Sequence, residues 1–227
     1  MKEKEIREYT EDAELRVAST ENSRNIEGYG IVFNKQSVLL GGMFSEIIRP
    51  EAVDGVIERS DILALINHDV SKGVLARSTN GKGTMGLTID KKGVKYSFDA
   101  PNFELGNELI EGVKRGDIRT SSFAFTVAEG GDSWQPLEDG TYLRIITKFD
   151  ELYDMSPCYR AAYEDTTVAV RSLTDIKTKD EAKKLEEERS KPGGEPVIPP
   201  VQPEEKKGLS EADLKLKRQQ NYYKSKK

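Results

Sequence analysis

The sequence predicts a mainly β (α+β) domain, a closed or nearly closed and mostly antiparallel β-barrel with a few helices around it, followed by a tail that stays outside its core. Three observations lead there. Short β-branched runs alternate with Gly, Asn and Asp up to about residue 171. Two segments carry helical spacing of apolar residues. Composition then changes abruptly near Ser172, where charge and proline replace the apolar runs. Of the 227 residues, 36% are hydrophobic and 33% charged, a polarity that a folded first part and a polar second part explain together.

The expected strands are LRVAS (15–19), IEGYGIVFN (26–34), SEIIR (45–49), DILALINH (61–68), VLARST (74–79), GLTIDKKGVKYSFDA (86–100), TSSFAFTVAE (120–129), TYLRIITKFDELYDMS (141–156) and TTVAVRS (166–172). Most are short and bounded by turn residues. Asp90-Lys91-Lys92-Gly93 marks a hairpin turn, and Glu129-Gly130-Gly131-Asp132 a looser connection. The helices are expected at 51–58, just after Pro50, and at 103–115, where Leu105, Leu109 and Val113 recur every fourth residue. Many antiparallel strands with few helices point to the barrel.

The domain therefore spans about residues 8–171, and residues 172–227 form a flexible tail. In that tail Pro192, Pro196, Pro199, Pro200 and Pro203 define an extended, polyproline-like stretch. Residues 179–190 and 209–221 have some helical character, with Ser210 as a cap for the second, but too few apolar positions for an independent helix.

Composition also excludes several function classes. With 35 Lys+Arg against 40 Asp+Glu, the formal charge is −5, which argues against nucleic-acid binding through global positive charge. One histidine, His68, and one cysteine, Cys158, cannot build a four-ligand Cys/His zinc site or an intramolecular disulfide. No metal or cofactor is expected. The longest apolar run, Ile62 to Ile66, is far too short for a membrane span, and with no apolar stretch behind the first lysines no leader is expected. The expected setting is a reducing cytosol.

The residues with chemical potential are few. His68 ends an apolar strand whose two faces are both covered, and by alternation it shares a face with Ile62, Ala64 and Ile66. Ser121 and Ser122 sit at a strand entry. Ser121 has the parity of Phe123, Phe125 and Val127, whereas Ser122 has that of Ala124 and Thr126 and points away from the aromatic face. Ser122 is thus the better nucleophile. A serine hydroxyl needs a base, and the base needs a group to hold its tautomer. The imidazole can only be that of His68. The third member is sought among Asp154, Asp69, Glu46 and Glu164. Asp69 points away along a continuing strand, and Asp154, at the end of a strand neighbouring that of Ser122, is preferred. Each residue also has an ordinary structural reading as a strand-end histidine, a strand-entry serine or a surface carboxylate.

The order GYGIVFN (28–34), EIIRPEAV (46–53), ILALINHD (62–69), LAR (75–77), GDIRTSSFAF (116–125) and RIITKFDELYDMSPCYRAAYEDT (144–166) resembles the prohead maturation serine proteases of tailed bacteriophages, relatives of the herpesvirus assemblin proteases. The likeness covers about residues 12–171. It implies an assemblin-like barrel and places the family's histidine, in its N-H-D segment, on His68, and its serine, just before F-x-F, on Ser122. A carboxylate in L-x-[DE]-x-S falls on Asp154. Assemblins have a second histidine there, from which this single-histidine chain departs. Arg160, similar in placement to an arginine-bearing loop of assemblins, is the candidate for oxyanion stabilisation. The resemblance implies a role inside the procapsid, in the host cytoplasm: cleavage of scaffold protein, or of a scaffold-like extension of the major capsid protein, followed by self-digestion. The tail is then a packaging signal or a substrate for autoprocessing, and a homo-oligomer is among the assemblies implied. The competing readings are a catalytically silent β-barrel that serves as a scaffold or assembly module, and a cysteine hydrolase built on Cys158 and His68.

Overall fold

Thr120–Val127 alternates between two sets of side chains, both of which end up buried, and it becomes a central strand of the molecule. In this computed structural model residues 4–9, 12–18, 23–159, 169–170, 173–174 and 177–178 are described. Their strands are β1 (Glu5–Tyr9), β2 (Arg16–Val17), β3 (Asn25–Val32), β4 (Phe44–Ile48), β5 (Asp61–Ala64), β6 (Ala76–Thr79), β7 (Lys82–Gly83), β8 (Gly86–Ile89), β9 (Gly93–Asp99), β10 (Thr120–Val127), β11 (Asp132–Pro136), β12 (Tyr142–Ile146) and β13 (Phe149–Cys158), with helix α1 (Glu104–Arg115) between β9 and β10.

Three sheets result, with strand orders β1-β10-β13-β5-β6-β7, β2-β3-β9-β8 and β11-β12-β4. The β13–β5 and β12–β4 pairs are parallel, and the other pairings between these strands are antiparallel. The mainly β, mostly antiparallel fold is as expected, but the strands do not close into a barrel. One reason lies in the segment 141–156, which the sequence presents as a single strand. The N–H groups of both Thr147 and Lys148 turn aside to the carbonyl of Gly131, at 2.8 and 3.0 Å. The chain thereby leaves the three-stranded sheet as β12 and enters the six-stranded one as β13, so no continuous ladder joins them.

Other expectations are also corrected. The helix at 51–58 is only a 3-10 turn at Pro50–Val53, because Gly55 takes φ 64°, outside helical space. The strand expected at 166–172 is helical at residues 169–170. Ala169 and Leu173, four apart and therefore on one helical face, are buried with Leu40 and Phe44. Strands β1, β7 and β11 lie outside the runs that the sequence presents as strands. Most of the tail, including 179–190 and 209–221, lies outside the described residues. No helix among the described residues is long and apolar enough to cross a membrane.

The main core gathers one face of the six-stranded sheet around Phe123, Phe125, Phe149, Leu152 and Met155, together with Ile26, Ile31, Tyr96 and Phe98 of the β3–β9 pair. The rings of Phe123 and Phe125 lie 5.0 Å apart, and those of Phe125 and Phe149 lie 4.8 Å apart, contacts worth about 0.5–1.5 kcal/mol each beyond area burial. Helix α1 buries Leu105, Leu109 and Ile110 and ends at Gly116, whose φ of 79° closes the left-handed cap. That cap turns the chain into β10 and so places Ser122.

Candidate active site

On β10 the alternation holds. Ser121 is on the core side, where its hydroxyl meets that of Tyr96 at 2.8 Å. Ser122 is on the other face, opposite Ser156 of β13 and Glu8 of β1.

Asp154 reaches that same face by a less direct route. In the β10–β13 ladder Ala124 pairs with Asp154 and Phe125 with Leu152, so Tyr153 is an extra residue, and Asp150 is another between Glu151 and Phe149. Each bulge reverses the alternation. Leu152 and Met155, three apart, therefore both face the core, while Asp154 and Ser156 face Ser122. Without the bulge at Tyr153, alternation from Leu152 would turn Asp154 toward the phenylalanines.

His68 is not on a strand. Strand β5 ends at Ala64, and Asn67 and His68 follow in left-handed conformation, with φ 53° and 59°. The turn is docked on the end of β13. Asn67 N–H donates to Pro157 O at 3.2 Å, and Tyr159 N–H donates to Asn67 Oδ1 at 3.0 Å. Asparagine tolerates this region better than most residues, and two such residues in succession store strain held by those contacts. The strand alternation expected through residue 68 therefore does not orient the imidazole.

The three side chains meet. His68 Nε2 lies 2.6 Å from Ser122 Oγ, and His68 Nδ1 lies 2.5 Å from Asp154 Oδ1. An ionised carboxylate only accepts, so the proton on the Asp154 side belongs to Nδ1, and Nε2 offers its lone pair to the serine. The His68 and Asp154 side chains are 13% and 9% exposed, and Ser122 is buried. Ser122 Oγ also lies 3.0 Å from the carbonyl of Arg7 on β1. Ser156, to which no sequence motif assigns a role, donates its hydroxyl to Asp154 Oδ1 at 2.7 Å.

The other candidates are occupied elsewhere. Asp69 accepts from the N–H and hydroxyl of Ser71, at 3.0 and 2.6 Å, as the cap of a short 3-10 turn. Glu46 is buried against Arg7 and Arg144. Glu164 and Arg160 lie outside the described residues. Cys158 is buried, and its thiol is pushed up to about 12, first by burial and then by the negative charges of Glu8 and Asp154. It is held protonated at neutral pH, which argues against a thiolate nucleophile. No cluster of metal-ligating side chains occurs among the described residues.

Strand β1 is held beside Ser122 by charge. Arg7 contacts Glu46 and Glu5, each at 2.8 Å, and Arg144 contacts Glu5 at 2.6 Å, Asp132 at 2.7 Å and Glu46 at 3.1 Å. Burial alone would raise the pKa of Glu5, but the hydrogen bonds and charges of Arg144 and Arg7 outweigh it and hold the carboxyl below its ordinary value. For Arg144 burial acts downward, and the bound carboxylates overcome it and raise the pKa.

A family model described as caudovirus prohead serine protease matches residues 11–181. Among solved structures, the bacteriophage T4 capsid assembly protease, gp21, aligns over 70% of this chain and 99% of its own, with 11% identity and a TM-score of 0.37. No curated protein matches the sequence.

Proposed function

The chain belongs to the caudovirus prohead serine protease family, and from that premise we propose that it cleaves peptide bonds with Ser122 as nucleophile, His68 as general base and Asp154 as the acid that orients the base. The carrying observation is the unbroken line of contacts Asp154–His68–Ser122, at 2.5 and 2.6 Å. Ser122 Oγ attacks the substrate carbonyl as Nε2 takes its proton, and the imidazolium then gives that proton to the leaving amine. A water, deprotonated by the same nitrogen, hydrolyses the acyl-enzyme. Throughout, Asp154 keeps Nδ1 protonated and Nε2 directed at the serine, and it stabilises the positive ring.

The substrates we propose are scaffold protein, or a scaffold-like extension of the major capsid protein, cut inside the procapsid within the host cell. Autoprocessing belongs to the same activity. Residues 172–227, charged and rich in proline, are the tail that directs packaging or is itself cut.

The test is the purified full chain in protease-free conditions. Wild type should react with a fluorophosphonate and shorten its own tail, whereas Ser122→Ala and His68→Ala should lose activity by about 10⁶-fold while remaining folded. Tail loss at the wild-type rate in Ser122→Ala would reject the assignment. Deleting 172–227 should lower incorporation into procapsids more than peptide hydrolysis if the tail directs packaging; the opposite ranking would reject that role.

A further inference from the structure

Asp154 has a second hydrogen-bond donor besides the imidazole, and its environment leaves that donor little freedom. Ser156 is fully buried two residues along β13, on the face the Tyr153 bulge exposes to the site. Its Oγ lies 2.7 Å from Asp154 Oδ1, the same oxygen that takes the His68 Nδ1 proton. Its Oγ also accepts from the backbone N–H of Leu65 at 3.3 Å. A hydroxyl has one proton and two lone pairs. With Leu65 N–H pointing at the oxygen, the proton is directed to the carboxylate, and the carboxylate can only receive it.

Leu65 is the first residue after β5, at the start of the four-residue run that ends in His68. Ser156 therefore touches the acid through its proton and the base-bearing turn through its lone pair. It is also the cross-strand partner of Ser122. No other described hydrogen bond joins the Asp154 carboxylate to the chain that leads into His68, apart from the one His68 makes itself.

We infer that Ser156 is a positioning residue for proteolysis: its hydroxyl fixes the Asp154 carboxylate against the His68-bearing turn, so that the oxygen facing Nδ1 is set before substrate arrives. The inference rests on the Asp154–His68–Ser122 reading above and adds to it a residue that touches neither substrate nor imidazole. A carboxylate free to rotate would present its oxygens to Nδ1 at varying distance and angle, and misplacements of this kind cost rate without costing ground-state binding.

The experiment is saturation kinetics of fluorophosphonate inactivation on the full chain, which separates KI from kinact. Ser156→Ala should lower kinact about 10- to 100-fold with KI within about twofold of wild type, and Ser156→Thr, which restores a hydroxyl, should recover most of that loss. In an Asp154→Asn background Ser156→Ala should cost nothing further, because the serine acts through that carboxylate. His68 is the single histidine, so its low-field Nδ1–H resonance needs no assignment by mutation; Ser156→Ala should displace or broaden it, whereas a merely structural role would leave it in place. If Ser156→Ala does not stay folded, Ser156→Cys, similar in volume but a weaker donor, takes its place with the same expectations. Wild-type kinact in the substituted protein, or an equal loss with and without the Asp154 carboxylate, would overturn the inference. Ser122→Ala run in parallel distinguishes the levels: if it is inert while Ser156→Ala is unimpaired, only the role of Ser156 fails; if it still reacts, the nucleophile assignment itself is wrong.

Discussion

Strand β10 is held on its two sides by different physics. Toward β13 the contact is a ladder with two bulges over an aromatic core, in which Phe123 and Phe125 stack and Phe149 meets Phe123 edge-on and Phe125 at a tilt. Toward β1 the inward-facing side chains Glu5 and Arg7 are charged, and they are buried against Glu46 and Arg144. The apolar side tolerates irregularity, and its bulges aim the polar groups of the site. The charged side has no such slack, because a buried charge is stabilised only while its partners are in place. The difference teaches where the polar contacts of the site and the anchoring have been put: Asp154, with its bonds to His68 and Ser156, on the first flank, and a network of matched charges on the second.

The comparison can be broken from either side. The largest effect expected on the β13 flank is on rate: Asp154→Asn should lower kcat about 10⁴-fold by leaving the imidazole without its orienting carboxylate, with little change in melting temperature. Activity near wild type would remove the acid from the mechanism. On the β1 flank the effect is on stability. Arg144→Met, which leaves Arg7 alone between the two buried carboxylates of Glu5 and Glu46, should cost about 3–5 kcal/mol in denaturant unfolding. Replacing the set together, with Glu5→Leu, Arg7→Met, Glu46→Leu and Arg144→Met, should cost far less than the single change; an equal or greater loss would show that the charges contribute net stability.

Acid sharpens the same contrast. Because the carboxyl of Glu5 is held below its ordinary value of 4.5, the folded state binds its proton less readily than the unfolded chain. Its contribution is full above pH 4.5 and is lost as pH falls through the lowered folded value. Wild-type melting temperature should drop over that window, and the fourfold apolar variant should drop less; parallel curves would assign the acid sensitivity to other groups. The smallest effect is expected at the exposed Arg77–Asp61 pair, where Arg77→Ala should leave melting temperature and activity unchanged, as surface pairs usually do.

How much of this was legible in the sequence depended on whether alternation ran undisturbed. It does on β10, so the orientation of Ser122 away from the phenylalanines could be read directly. It does not on β13, where the extra residues at Asp150 and Tyr153 reverse the phase twice, and Asp154 came from its place near a strand end rather than from its face. ILALINHD presents His68 as the last residue of a strand, although the strand stops at Ala64; the one local mark of two consecutive left-handed residues is the Asn-His pair itself, two types that tolerate that region. Strand β1 was hidden because its pattern is inverted: Glu5 and Arg7 point inward and Ile6 lies between them, which reads as a polar segment until Arg144 and Glu46 are placed opposite. Ser156 carried no signal of its own beside Ser122. Barrel closure failed as an expectation because strand count says nothing about where the ladder is interrupted.

The hydroxyl of Ser122 has two takers for a single hydrogen: the ring nitrogen at 2.6 Å and the main-chain oxygen of residue 7 at 3.0 Å. Rotation about one C–O bond moves the hydrogen between them, from a setting turned to the ring to one in which the ring's lone pair has no donor. The second acceptor is a peptide carbonyl, so no exchange of the side chain at position 7 can delete it. Only moving the backbone of the first strand can.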